Sequence, residues 1–180
     1  MYDRILIAID LDETLIHSTS SESDRPADFM FGDHYVYVRP HLSIFLQKCN
    51  EFFDIAVWSS GGETYVNSIL NEIIPQSVEL RFVWTRSAFV NGKVFIPGML
   101  GAAKNLKRLI ENGFEPSKVL IVDDNPDDSV IEFGNVLQVQ PYRGQPEDCE
   151  LLLLSQYLEK IQSVKDTRSV MGASWRNKVS

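Results

Sequence analysis

Ile5-Leu6-Ile7-Ala8-Ile9-Asp10-Leu11-Asp12-Glu13-Thr14 is the stretch from which the architecture of this chain is best read: five apolar residues that break directly into a D-x-D-x-T sequence. The run is short, rich in β-branched residues and apolar on both faces, as expected of a buried parallel strand rather than a half-exposed one. Ligands bind outside the carboxyl ends of strands in open α/β sheets. Alternation along an extended backbone points Asp10 and Asp12 to the same side. Two converging carboxylates repel unless a cation or a shared proton relieves them. Mg²⁺ answers that need, because it takes oxygen ligands and works beside substrate phosphates.

The same pattern of buried strand followed by polar turn recurs along the chain. Asp54-Ile55-Ala56-Val57-Trp58 runs into Ser59-Ser60-Gly61-Gly62, Leu80-Arg81-Phe82-Val83-Trp84 reads as a third strand, and Val119-Leu120-Ile121-Val122 runs into Asp123-Asp124. Val136-Leu137-Gln138-Val139 is a last core strand. Between them, Leu42, Phe45, Leu46 and Cys49 fall at helical spacing after Pro40, and Val66, Ile69, Leu70 and Ile73 do so in a helix that Pro75 ends. A helix is expected from Lys104 to Asn112, stopped by Gly113, and another from Glu147 to Val164. The polar stretch Ser18 to Pro26 and the alternating Tyr35-Val36-Tyr37-Val38 read as a loop and β flap. Asn91-Gly92, flanked by Phe89-Val90 and Val94-Phe95-Ile96, predicts a hairpin with an exposed tip. Alternating strands and helices imply a central, mostly parallel sheet covered on both faces.

With 180 residues, 44% apolar and 23% charged, the chain has the makings of one globular domain. The expectation is a single catalytic domain over residues 1–164 and a polar, solvated tail over 165–180, where Lys165, Arg168, Arg176 and Lys178 concentrate. A net charge of −8 argues against nucleic acid or an anionic membrane as partner. Cys49 and Cys149 lack zinc-ligand or disulfide spacing, and His17, His34 and His41 lack ligand spacing. The first apolar run is too short for a signal peptide or a membrane span, which leads to the expectation of the cytoplasm or another reducing compartment. Tyr35, Tyr37, Trp58 and Trp84 are expected to serve packing.

In order, "DLDETLIHS", "VRPHLSIFL", "IAVWSS", "KNLKRL" and "VLIVDDNP" resemble the motifs of the haloacid dehalogenase superfamily, and more closely its small C-terminal-domain phosphatase group, the TFIIF-associating, NIF-like phosphatases. The similarity continues through "EDCELLLLSQYLEKI" and covers nearly the whole chain. It implies an α/β, three-layer Rossmann-like haloacid dehalogenase fold with a small β flap and no separate cap domain. It also implies that Asp10 attacks phosphorus, that Asp12 protonates the leaving oxygen and then activates water, and that Ser59 and Lys104 bind the phosphoryl group. Mg²⁺ would be held by Asp10, the carbonyl of Asp12 and Asp124, with Asp123 in support.

Three departures from the family pattern matter. Many relatives carry threonine where Ser59 stands, and the hydroxyl is retained. The stretch from Arg86 to Lys104 is longer than in eukaryotic members, leaving Lys107 and Lys93 as alternatives to Lys104. Ser60-Gly61-Gly62-Glu63 is more polar than its counterpart, while Arg86 matches a family arginine near the substrate. The function implied is a Mg²⁺-dependent phosphomonoesterase with an open cleft, acting on phosphoserine or phosphothreonine in a protein or peptide, with a small phosphomonoester as the alternative substrate. A dehalogenase would have no leaving group for Asp12 to protonate. A phospho-accepting receiver domain would carry its acidic pair after the first strand, whereas here Asp123-Asp124 lies late. A catalytically idle binding module would have lost an expected catalytic position, and none is lost.

Overall fold

The computed structural model describes residues 4–88, 104, 106–126, 135–170 and 173–179. Strand β1 (Leu6–Ile9) leads into a small flap of β2 (Ile16–Thr19), β3 (Phe29–Phe31) and β4 (His34–Val38). Helix α1 (Leu42–Phe52), β5 (Asp54–Trp58), α2 (Glu63–Ile73) and β6 (Leu80–Trp84) follow. The second half contains α3 (Leu106–Glu111), β7 (Val119–Asp123), β8 (Val136–Gln138) and α4 (Glu150–Ile161).

Five strands form a sheet in the order β6-β5-β1-β7-β8, with every pairing parallel. Strand β1 sits at the centre, paired with β5 through Ile9↔Val57 and with β7 through Ile9↔Val122. The chain moves to one side of β1 for β5 and β6, then crosses to the other side for β7 and β8. The strand order therefore reverses at β1, which makes its carboxyl end the crevice of the sheet.

Residue alternation splits the core into two layers. Ile7, Ile9, Ile55, Val57, Leu120 and Val122 pack under α1, α2 and α4. Leu6, Ala8, Ala56, Trp58, Val119 and Ile121 face the side that carries Leu109 of α3 and Phe114. Because both faces are covered, the central strands are apolar at successive positions, residues 6–9, 55–58 and 119–122, whereas the edge strands β6 and β8 admit Arg81 and Gln138. The expected three-layer α/β fold is the one observed.

The structure adds detail that the sequence reading lacked. The stretch expected to hold one flap strand holds three, antiparallel in the order β2-β4-β3. The long C-terminal helix is shorter at both ends, Glu150–Ile161. The stretch after it differs from a solvated tail. Trp175 is fully buried and donates from Nε1 to the Gln138 carbonyl at 2.8 Å. Arg176 pairs with Glu150, and Thr167 donates to the Val119 carbonyl at 2.8 Å. Trp175 and Arg176 thus both donate to the Gln138 carbonyl of β8, an edge strand of the sheet, and occupy part of its unpaired edge. The predicted hairpin around Asn91-Gly92 lies outside the described residues.

Candidate active site

The site assembles at the carboxyl ends of β1, β5 and β7. The Asp10 amide continues the ladder by donating to the Val122 carbonyl at 2.9 Å, after which the chain turns sharply. Leu11 enters the core, and Leu15 and Ile16 donate back to its carbonyl at 2.9 and 3.2 Å. Glu13 takes a left-handed conformation, with φ of 60°, to complete the turn. Thr14 then reaches across to β7, where its Oγ1 donates to Asp124 Oδ1 at 3.3 Å and accepts the Asp124 N–H at 3.2 Å. Two segments 110 residues apart are tied together by one hydroxyl.

Lys104 Nζ lies 2.6 Å from Asp10 Oδ1 and 2.5 Å from Asp123 Oδ2, and all three residues are largely buried. The other Asp123 oxygen accepts the Asn125 N–H at 2.9 Å. Lys107 is exposed and pairs with Glu111 at 3.7 Å, away from this cluster, while Lys93 lies outside the described residues. Asp10, Asp123 and Asp124 each offer a carboxylate oxygen, and these oxygens lie within 4.8 Å of one another. Burial pushes the Asp10 carboxyl up to about 7 against the pull of Lys104, with the Asp123 and Asp12 charges adding to the rise. Burial and the Asp123 charge also raise Asp124. Burial alone would lower the Lys104 ammonium, but the Asp10 and Asp123 carboxylates outweigh it and hold it above its ordinary value. One ammonium therefore leaves the clustered carboxylates short of positive charge. An all-oxygen donor set under that strain fits a hard divalent cation.

The Asp12 side chain turns away from these carboxylates towards α2. Its Oδ1 accepts the Tyr65 hydroxyl at 2.5 Å, and its Oδ2 is 3.4 Å from Ser59 Oγ. Ser59 Oγ in turn accepts the Gly61 N–H at 2.9 Å. Arg86 braces the same turn by donating from its amide to Gly61 and from Nε to the Ser60 carbonyl, at 2.9 and 3.0 Å. Beside Asp12 opens a cleft of about 480 Å³, bounded by Ser18, Phe31 and His34 of the flap and by Gly62, Tyr65 and Arg86 opposite.

Every site residue named from the sequence is thus drawn to one end of the sheet, in two adjoining groups. Asp10, Lys104, Asp123 and Asp124 form the charged centre; Asp12 and Arg86 line the cleft, and Ser59 is buried against Asp12 and Gly61. Sequence reasoning missed Tyr65, which looks like one more residue of an amphipathic helix, and Thr14 as the tie to Asp124. It also missed Arg39, a fully buried guanidinium that donates to the Thr14 carbonyl at 3.0 Å.

A parallel α/β sheet with an acidic cluster at its switch point is what the haloacid dehalogenase resemblance of the sequence implies. The chain belongs to the NLI interacting factor-like phosphatase family, whose model matches residues 5–168. Among curated proteins it is 30% identical over 177 residues to human carboxy-terminal domain RNA polymerase II polypeptide A small phosphatase 1, covering 94% of this chain and 64% of that one. It is 27% identical to the CTD small phosphatase-like protein 2 of Dictyostelium discoideum, over 92% of this chain and 29% of the relative. The nuclear envelope morphology protein 1 of Saccharomyces cerevisiae is 25% identical, over 92% and 41%. The chain therefore spans less than two thirds of each of these relatives. Among solved structures, the fission yeast RNA polymerase II CTD phosphatase Fcp1, bound to beryllium fluoride, superposes with a TM-score of 0.67 at 18% identity, over 89% of this chain and 63% of that one. Among the described residues, no helix is long and apolar enough to cross a membrane.

Proposed function

We propose that this chain is a Mg²⁺-dependent phosphomonoester hydrolase acting through an aspartyl phosphate on Asp10, with phosphoserine or phosphothreonine in a protein or peptide as its substrate class. The observation that carries this reading is the Asp10 carboxylate held on Lys104 beside Asp123 and Asp124, two residues before Asp12, which lines an open cleft. An Asp10 oxygen attacks phosphorus while the bond from phosphorus to the leaving oxygen breaks. Asp12 gives its proton to that oxygen, so the product departs as an alcohol. Asp12 then takes a proton from water, the water oxygen attacks phosphorus, and Asp10 is released as a carboxylate. Ser59 Oγ donates to a phosphoryl oxygen, and Lys104 balances the charge gathered on the phosphoryl group and Asp10. Asp10, Asp124 and the Asp12 carbonyl would hold Mg²⁺, with Asp123 in support. When bound, the ion supplies the positive charge that Lys104 alone does not provide and orients the phosphoryl group.

The choice of a protein phosphate over a small metabolite rests on access. Among the described residues, the cleft lies between the three-stranded flap and the start of α2 with Arg86, and no cap domain closes over it. The relatives named as phosphatases of the RNA polymerase II carboxy-terminal domain favour the same substrate class. The test is turnover by Asp10→Asn, which removes the attacking charge at nearly constant volume. Hydrolysis of aryl phosphate and of a phosphoserine peptide should each fall by at least about a hundredfold. Near-normal activity in that variant refutes the mechanism. Efficient hydrolysis of small sugar phosphates without hydrolysis of any phosphopeptide would transfer the assignment to the metabolite class.

A further inference from the structure

Asp12 has two oxygens, and the assigned chemistry needs one of them free to give and take a proton. The other is already engaged. Tyr65 Oη donates to Asp12 Oδ1 at 2.5 Å, while Oδ2 accepts only a long hydrogen bond, 3.4 Å, from Ser59 Oγ, a donor that the proposed reaction turns to the phosphoryl group. We propose that Tyr65 is a positioning residue that caps Asp12 Oδ1 and thereby assigns Oδ2 to proton transfer with the leaving oxygen and the hydrolytic water. This inference rests on the role given to Asp12 above.

The surroundings of Tyr65 are arranged to hold its hydroxyl in place. Its helix is fixed to the core by Val66, Ile69, Leu70 and Ile73, so the Tyr65 Cα has little freedom. The ring meets Phe31 of the flap edge-on, with centroids 5.3 Å apart and planes at 72°. Its other flank lies against Gly61, where a Cβ would come within 2.9 Å of Tyr65 Cδ1 and of Val66 Cγ2. A side chain at Gly61 would displace the ring, so glycine is needed there for space. The hydroxyl donates its proton to Asp12, and Ser18 of the flap lines the cleft beside it. Without Tyr65 the carboxyl group could rotate about its terminal torsion, which is broad and roughly two-fold. Either oxygen would then face the leaving group, and the proton would be delivered from the correct one only part of the time.

A positioning role has a signature that a packing role lacks, because acid assistance matters most when the leaving group is poor. The experiment compares wild type, Tyr65→Phe and Asp12→Asn on phenyl phosphate and 2,4-dinitrophenyl phosphate, reading kcat/KM for each, with inhibition by inorganic phosphate as the binding control. Tyr65→Phe keeps the ring against Phe31 and Gly61 and removes only the hydroxyl. It should lose about tenfold on phenyl phosphate, less than about twofold on the dinitrophenyl ester, and leave phosphate inhibition unchanged. Asp12→Asn should show the same selectivity on a larger scale. Selective loss in Asp12→Asn with equal loss, or none, on the two esters in Tyr65→Phe overturns the role of Tyr65 and leaves that of Asp12 intact. Absence of selectivity in Asp12→Asn removes the acid role of Asp12 and the positioning role with it. Parallel weakening of phosphate inhibition and unselective loss in Tyr65→Phe would make Tyr65 a substrate contact instead.

Discussion

Replacing Asp148 by Asn isolates what the buried guanidinium of Arg39 contributes to the fold. The Arg39 side chain is fully buried and Asp148 is 14% exposed. Arg39 Nε donates to Asp148 Oδ1 at 2.9 Å and Nη2 donates to Oδ2 at 2.8 Å, a bidentate pair. Two further N–H groups serve the Thr14 and Gln140 carbonyls at 3.0 and 2.8 Å. Asp148→Asn keeps the volume but presents an NH₂ to a fork of N–H donors and leaves the guanidinium without a counter-ion. Removing one partner of a buried pair costs about 3–5 kcal/mol, most of it from the charge left behind. For a domain of this size each kcal/mol lowers Tm by about 2–4 °C, so a fall of about 6–20 °C is expected by calorimetry. The pH dependence adds a second check. Burial disfavours the Asp148 carboxylate, but the Arg39 hydrogen bonds and charge outweigh that and hold it below the usual carboxylate range. With the folded value depressed, its contribution is fully present above the unfolded value near 3.9 and is lost as pH falls through the folded one. The stability gap between wild type and Asp148→Asn should therefore stay constant from pH 8 to about 5 and close only below about 4. A Tm within about 2 °C of wild type at pH 7, or a gap that closes near neutrality, would refute the reasoning.

Trp175→Ala tests whether the C-terminal stretch belongs to the fold: a fully buried indole with a 2.8 Å bond to Gln138 should cost about 3–5 kcal/mol by urea unfolding, whereas a solvated position would cost under about 0.5. Mg²⁺ at a hundred times its dissociation constant should stabilise the folded chain by about 2.7 kcal/mol, or about 5–11 °C in Tm. Chelation should abolish aryl phosphate hydrolysis, with recovery on adding Mg²⁺ or Mn²⁺; full activity in chelator would remove the metal from the mechanism.

The sheet was legible because its three central strands, β1, β5 and β7, are almost wholly buried and stand out as apolar runs, while the edge strand β6 remains rich in aromatic and β-branched residues around Arg81. Asp54–Trp58 and Leu80–Trp84 match their expected bounds. The site was legible for the same reason, since Asp10, Ser59 and Asp123 each stand where such a run ends. The flap was harder to read. Ile16-His17-Ser18-Thr19 buries only its first residue, and Phe29-Met30-Phe31 is three residues long. Both become strands by pairing with β4, a non-local event that local pattern does not record. In the C-terminal stretch four basic residues outweighed one tryptophan in the reading. Arg176 is held by Glu150, 26 residues earlier, and Trp175 by the edge of β8. Arg39 and Asp148 are 109 residues apart, and a lone arginine before a proline carries no mark of complete burial.

The D-x-D-x-T turn joins these parts into one device. The Glu13 carbonyl accepts the Tyr142 amide at 2.7 Å, and the Glu13 carboxylate meets His17 and Arg143, each at 2.9 Å. Thr14 ties the turn to Asp124 through its hydroxyl and to Arg39 through its carbonyl. The charged centre is therefore fixed from both sides of the switch point before any substrate arrives, which is what electrostatic stabilisation of phosphoryl transfer needs, because groups already in place spend nothing on reorganisation. The cleft beside Asp12 is held differently. Gly62 would meet nothing within 4 Å if it carried a side chain, Arg86 is exposed, and the opposite wall is a flap of three short strands. In the proposed reaction the nucleophile and metal ligands belong to the over-determined half of the site, Asp12 and Ser59 adjoin it, and the open half is where substrate choice would vary. Tyr65 stands on the border between the two, in the wall of the cleft and with its hydroxyl on Asp12, the carboxylate to which the proposed reaction gives proton transfer.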